Sequence, residues 1–226
     1  MAGNLKATAK TFFGVAFLLT ALGISESAAQ SRGGDRPGQF DFYVLSLSWS
    51  PTFCAAQSGG RNDQQCGTDK DFGFIGHGLW PQYERGFPDS CDTNGQDRVP
   101  RALGEQLFDI MPSMGLIGHE WRKHGSCSGL SQRAYFSRLR EAFQKVQIPA
   151  DIAKGDKAVT LSADQIEEKF VAANPGLSRR GIAASCDGNQ LEEIRICLTK
   201  TLQFRDCAEI DRGGCRIGQI TIPPGR

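Results

Sequence analysis

Histidine is scarce in this chain, with three in 226 residues, so any mechanism or metal site built on imidazole has few positions to draw on. No Cys-x-x-Cys pair occurs among the eight cysteines, which argues against a zinc cluster, because such clusters use that close spacing. Net charge is nearly absent: 26 basic against 25 acidic side chains leave +1. A protein that coats nucleic acid by bulk positive charge is thereby excluded, while a local basic site is not. After the N-terminal segment, no apolar run approaches the roughly 20 residues that span a bilayer. Internal repeats and low-complexity tracts are also lacking. What is present is a 39% share of hydrophobic residues, enough to build a core and against a disordered chain. The length fits one domain of ordinary size.

The N-terminal segment reads as an address. Lys6 and Lys10 precede an apolar run from Phe12 to Gly23, too short to cross a membrane, and the small residues Ser27 and Ala29 follow it. This is the layout of a signal peptide over residues 1–29, cleaved between Ala29 and Gln30; a buried N-terminal helix is the competing reading. Loss of two lysines and one glutamate leaves the remainder formally neutral, without a membrane anchor. Residues 30–39 are polar and Gly-rich, a flexible lead-in to a domain over residues 40–226. All eight cysteines lie past the cleavage point, and an even number fits an oxidising compartment, periplasmic or extracellular, with four disulfides.

Hydrophobic periodicity gives the coarse order of elements. Tyr43, Leu45, Leu47 and Trp49 alternate with Val44, Ser46 and Ser48, the pattern of a half-buried strand. Residues 55–71 read as a loop, Phe72–Gly76 as a strand running into His77, and residues 84–100 as a long surface loop. Helical spacing appears at Leu103, Leu107, Phe108 and Met111, and again from Tyr135 to Val146. Ser162 with Gln165 forms a capping box opening a helix through Ile166 and Phe170, stopped by Asn174-Pro175. Ile194, Ile196 and Leu198 mark a late strand, and Ile217, Ile220 and Ile222 a last short one. Strands at both ends with helices between them give an α+β class and one domain.

The three histidines fall in two short segments. These are Gly76-His77-Gly78-Leu79-Trp80-Pro81 and His119-Glu120-Trp121-Arg122-Lys123-His124-Gly125-Ser126-Cys127. The second is close to the metalloprotease pattern H-E-x-x-H but has one residue too many. On a helix His119 and His124 stand roughly 140° apart, unsuited to one ion. The i,i+4 pairs are instead His119 with Lys123 and Glu120 with His124. The first makes a cationic, donor-rich patch, and the second sets a carboxylate beside an imidazole. Trp121 turns to the core. Such a face suits an anionic substrate that develops charge.

Both segments resemble the two catalytic segments of the ribonuclease T2 family, and the likeness runs from about Phe42 to Pro224. It implies an exported, monomeric endoribonuclease that cleaves single-stranded RNA through a 2′,3′-cyclic phosphate without metal or other cofactor. It further implies a central, mainly antiparallel sheet with flanking helices. By resemblance His124 is the general base on the 2′-OH and His77 the general acid. Glu120 orients or polarises His124, and Lys123 and His119 contact phosphate. Trp80 either packs in the core or stacks on a base, with Tyr83 and Phe87 as weaker candidates for the same surface. The disulfides implied are Cys54–Cys66, Cys91–Cys127, Cys186–Cys215 and Cys197–Cys207.

The chemistry suits those residues independently, since RNA carries its own nucleophile. Two imidazoles can serve as base and acid, and a lysine with a further histidine can hold phosphate oxygens. The chain departs from the family pattern at Ile117-Gly118, at Gln82 and at Leu45-Ser46-Leu47-Ser48-Trp49. None of these is a catalytic group, but they bear on base preference. Two other classes compete: a non-catalytic binding protein on the same scaffold, which would normally have lost one of the four catalytic residues, and a metal-dependent hydrolase.

Overall fold

The computed structural model describes residues 35–57, 62–67, 69, 71–153 and 157–225, all within one compact unit, Gly33–Arg226. The proposed signal peptide and residues 30–34 of the lead-in lie outside the described residues. From Asp35 onward the lead-in is tied down. The Asp35 carboxylate accepts from the Tyr83 hydroxyl and the Asp89 amide, and the Gly38 amide donates to the Cys127 carbonyl.

Strand β1 (Phe42–Trp49) leads through the short helices α1 (Ser50–Ala56) and α2 (Asp63–Cys66) to β2 (Phe74–Gln82). A long loop then reaches α3 (Arg101–Gly104), α4 (Met114–Lys123), α5 (Gln132–Lys145) and the one-turn α6 (Ala150–Ala153). Strand β3 (Val159–Leu161), helix α7 (Ala163–Ala173), the hairpin β4 (Ile182–Asp187) and β5 (Gln190–Leu198), helix α8 (Ala208–Arg212) and β6 (Ile220–Ile222) complete it. The sheet order is β2-β1-β5-β6-β3, with β4 also paired to β5. All pairings are antiparallel except one parallel contact, Gln190 with Thr221.

One face of this sheet carries the main core. Leu45, Leu47 and Trp49 of β1 pack with Ile194 and Ile196 of β5 and with Tyr135, Phe136 and Leu139 of α5. The helices form where the sequence caps them: Ser113 and Ser131 accept amide hydrogen bonds at the starts of α4 and α5. The Ser162–Gln165 capping box closes at 3.1 and 2.9 Å. Asn174 ends α7 and ties its last turn to Gln147. Four disulfides join Cys54 to Cys66, Cys91 to Cys127, Cys186 to Cys215 and Cys197 to Cys207.

Several elements differ from their sequence patterns. Strand β1 is buried along its whole length, because its alternate face is covered by a second small cluster, Phe42, Val44, Cys197 and Cys207, with Trp80 and Ile210 against it. The helix expected around Leu103–Met111 breaks after one turn into a 3-10 turn, Glu105–Leu107. The loop over residues 55–71 contains helix α2. Strands β3 and β4 and helix α8 had no periodic signal long enough to stand out, and Ile217 lies exposed outside β6.

Candidate active site

The second face of the sheet builds the site. Directly paired residues of antiparallel strands share a face, and Ser46 faces both Gly78 and Arg195 while Ser48 faces Glu193. The polar half of β1's alternation therefore looks onto functional groups rather than solvent. Between Ser46 and Leu47 the β1–β2 register shifts, since Ser46 pairs with Gly78 but Leu47 with Gly76. His77 is the extra residue of this bulge, with no partner of its own on β1. Regular alternation would turn His77 toward the core, whereas the bulge re-aims it to the site face.

Helix α4 packs beside β2 and delivers the second segment. Glu120 is 1% exposed. Its Oε2 accepts from the Trp80 indole N–H at 2.7 Å, and its Oε1 lies 3.5 Å from His77 Nε2. Gly78 makes room for this junction: a Cβ there would sit 2.0 Å from Glu120 Oε2 and 2.3 Å from Trp80 Nε1. The expected side-chain pairing of Glu120 with His124 does not form: His124 is the C-cap of α4, its φ widened to −119°, and the Glu120 carboxylate turns to Trp80 and His77. The His124 ring instead stacks on Trp80, centroids 5.1 Å apart. Gly125 lets the chain turn inward there, since a Cβ would meet Trp121 and Tyr135 at 2.7 and 2.8 Å. Cys127, bridged to Cys91, holds the segment's end.

His77, Trp80, His119, Glu120, Lys123 and His124 thus line one cleft of about 510 Å³, together with Gln82, Phe87 and Arg195. Tyr83 stays outside it, its hydroxyl donating to Asp35. A smaller cavity of about 230 Å³ opens beyond His77 and His119, walled by Phe53, Leu116, Gln65 and Ser113. Trp80 belongs partly to both sequence readings: it packs on the small cluster and also presents its ring in the cleft.

The electrostatics separate the histidines. Burial alone would lower the His77 pKa, but the hydrogen bond and charge of Glu193, with the charge of Glu120, outweigh it and raise the pKa above 6.5. His124 goes the other way: burial, then the cations at Lys123 and His77, push it down to about 3. His119 is lowered more mildly by burial and by Lys123. Burial raises Glu120 to about 7 against the opposing pull of His77 and the Trp80 hydrogen bond.

Glu193 and Arg195 are the residues that sequence reasoning missed. Glu193 bonds His77 Nδ1, and Arg195 reaches Glu193 Oε2 through Nε and Nη2 at 3.0 and 2.9 Å. The available signal was two opposite charges, Glu193 and Arg195, at alternate positions of β5, which a half-buried reading assigns to solvent.

A model of the Ribonuclease T2 family matches residues 40–207. The chain belongs to the ribonuclease T2 family. Among ribonuclease T2 relatives, a ribonuclease of Aeromonas hydrophila is 35% identical over 181 residues, covering 77% of this chain and 78% of that protein. Ribonuclease I of Escherichia coli (strain K12) is 27% identical over 238 residues, 84% of this chain and 87% of that one. The solved structure of RNase NT in complex with 5′-AMP superposes with a TM-score of 0.65 at 25% identity, over 83% of this chain and 99% of that one. The fold is shared as well with an RNase-related protein from Calystegia sepium, at a TM-score of 0.64, 23% identity and coverage of 81% and 97%. The family match takes in β1, both histidine segments and β5, so the bulge at His77 and the Glu193–Arg195 pair fall inside it.

Proposed function

We propose that this ribonuclease T2 family endoribonuclease cleaves single-stranded RNA by attack of the 2′-OH on the adjacent phosphate, with His124 as general base and His77 as general acid. The observation that carries this division is the contrast between two imidazoles lining one cleft: His77 stands between the carboxylates of Glu193 and Glu120, whereas His124 stacks on Trp80 with its buried Nδ1 unpaired among the described residues. Against the pull of burial, the carboxylates of Glu193 and Glu120 favour the His77 cation, with a proton on Nε2, while burial and the neighbouring cations favour a neutral His124 with a free lone pair. Groups whose environments push their pKa values apart are the natural acid and base.

The chemistry follows from those states. His124 takes the 2′-OH proton as the oxygen bonds to phosphorus, and His77 Nε2–H protonates the departing 5′-oxygen. The products are a 2′,3′-cyclic phosphate and a 5′-hydroxyl end. For hydrolysis of the cyclic phosphate the roles exchange: neutral His77 takes a proton from water and the His124 imidazolium returns one to the 2′-oxygen. Lys123 and His119 on α4 hold the phosphate oxygens, and the negative charge gathering on the phosphorane suits Lys123 best. Glu120, fixed by Trp80, supports His77 and the phosphorane rather than His124. Trp80 and Phe87 offer ring faces for a base next to the cleaved bond. No metal or other cofactor takes part. Four disulfides, with the N-terminal segment read above, support export.

Cleavage of matched RNA, 2′-O-methyl RNA and DNA oligonucleotides tests the nucleophile. RNA alone should be cut, with a 2′,3′-cyclic phosphate appearing first. Comparable cutting of DNA would mean that water attacks directly and would overturn the scheme.

A further inference from the structure

Strand β5 carries a charge pair that the scheme above leaves without a task. Glu193 is 3% exposed, and burying a carboxylate is costly unless it is paired and bonded. Both its oxygens are engaged: Oε1 with His77 Nδ1 and Oε2 with the Arg195 guanidinium. Burial would raise the Glu193 pKa, yet the hydrogen bond and charge of His77 and the charge of Arg195 bring it down to about 2. Glu193 is therefore an anion throughout the working range. It stands on the strand that flanks β1 opposite β2, level with the bulge that leaves His77 without a ladder partner.

We propose that Glu193 is the positioning residue of the acid, holding His77 through Nδ1 so that Nε2 faces the cleft, and that Arg195 moderates this hold. It rests on the reading of His77 as the acid. With Nδ1–H bonded to a carboxylate, the imidazolium has its second proton on Nε2, where the leaving oxygen arrives. Once that proton is given up, the hydrogen on Nδ1 stays with its partner. The neutral ring then has its lone pair on Nε2, the tautomer needed to accept a proton from water in the hydrolytic step. Glu193 itself takes no proton, the role a carboxylate plays behind the histidine of a catalytic triad. Arg195 is bound to the same carboxylate, and its guanidinium also stands over the Trp80 ring, 5.5 Å from the centroid. Its positive charge works against the His77 cation, so its removal should strengthen the hold.

The groups facing His77 are Glu193 and Arg195 from β5, Glu120 and His119 from α4, and His124 just beyond that helix. Two substitutions on β5 separate their effects with opposite signs. Glu193→Gln keeps the length of the side chain and removes its charge. An opposite charge at contact distance shifts a pKa by about 1–3, so the His77 midpoint should fall by about one pH unit or more. The alkaline limb of kcat/KM should fall with it, and kcat should drop about tenfold or more at neutral pH, with KM little changed. Glu193→Asp, which retains the charge, should return the midpoint toward wild type, and Arg195→Gln should move it upward.

The measurement is an NMR titration of the His77 imidazole in the intact, disulfide-bonded protein, beside pH profiles on one dinucleotide. A folded Glu193→Gln variant with an unchanged midpoint and limb overturns the proposal, because a purely structural Glu193 would change stability alone. If Glu193→Gln does not fold, Arg195→Gln decides: an upward midpoint supports the hold, and an unchanged or lower one overturns it. If the midpoint falls while the kcat/KM limb stays fixed, Glu193 still governs His77 and the reading of His77 as the acid fails instead.

Discussion

Replacing Glu120 by glutamine should make the folded protein more stable in alkali while costing activity. The Glu120 carboxyl is buried under α4, and burial raises its pKa from an ordinary 4.5 to about 7. In the unfolded chain the group loses its proton near 4.5, and in the folded chain near 7. Between those values the folded state holds the extra proton, so the Glu120 contribution to stability falls as pH rises and is fully lost above 7. At about 1.4 kcal/mol per pH unit the loss comes to about 3 kcal/mol. Glutamine keeps an oxygen for the Trp80 indole N–H and has nothing to ionise. His77 gives back part of the gain, because the Glu120 charge helps to raise its pKa. Urea unfolding with the disulfides intact, at pH 5 and pH 8, measures the effect by linear extrapolation. The variant-minus-wild-type difference should grow by about 2–3 kcal/mol between the two conditions. A difference that is equal at both, or that shrinks at pH 8, would refute the burial argument for Glu120.

Gly78→Ala should cost about 1–3 kcal/mol of stability and much of kcat/KM, because its Cβ would occupy the space of the Glu120–Trp80 hydrogen bond; thermal melts and kinetics on a dinucleotide check both. The pH profile of kcat/KM should be a bell on the acid side of neutrality. It should fall as pH rises through the raised pKa of His77 and as pH drops toward the depressed pKa of His124. A bell centred above pH 8 would contradict both assignments. Lys123→Ala should lower kcat more than it raises KM, since its charge meets the phosphorane. His119→Ala should mainly raise KM, and steady-state with single-turnover kinetics on one dinucleotide separate the two.

The histidine segments were legible because they are short, contiguous and unusual in composition. Their chemistry could be read from residue type before any contact was known. Helix α7 was legible for a related reason, since Ser162 and Gln165 act on neighbours three residues away, and α5 was legible from the spacing of its apolar residues from Tyr135 onward. What stayed hidden depends on partners far along the chain. Whether Ser46 and Ser48 face water or a site is decided by β5, about 150 residues later, and the burial of Glu193 is decided by His77. The bulge at His77 is a mismatch between two strands and leaves no mark in either one alone. The i,i+4 register placed Glu120 beside His124. His124 instead caps α4, and the Glu120 carboxylate turns to Trp80 and His77.

The division of labour between His77 and His124 is tested most directly by changing the leaving group. An aryl phosphodiester on a ribonucleoside 3′-phosphate expels a stable phenolate that needs no proton, whereas the 5′-oxygen of RNA does need one. On RNA, His77→Ala and His124→Ala should each lose about 10²–10⁴-fold or more in turnover. On the aryl substrate His77→Ala should recover to within about tenfold of wild type, because the acid is no longer required. His124→Ala should remain as impaired as on RNA, because the 2′-OH still has to lose its proton. Recovery of His124→Ala with no recovery of His77→Ala would reverse the two roles, and recovery of neither would mean that neither histidine protonates the leaving oxygen.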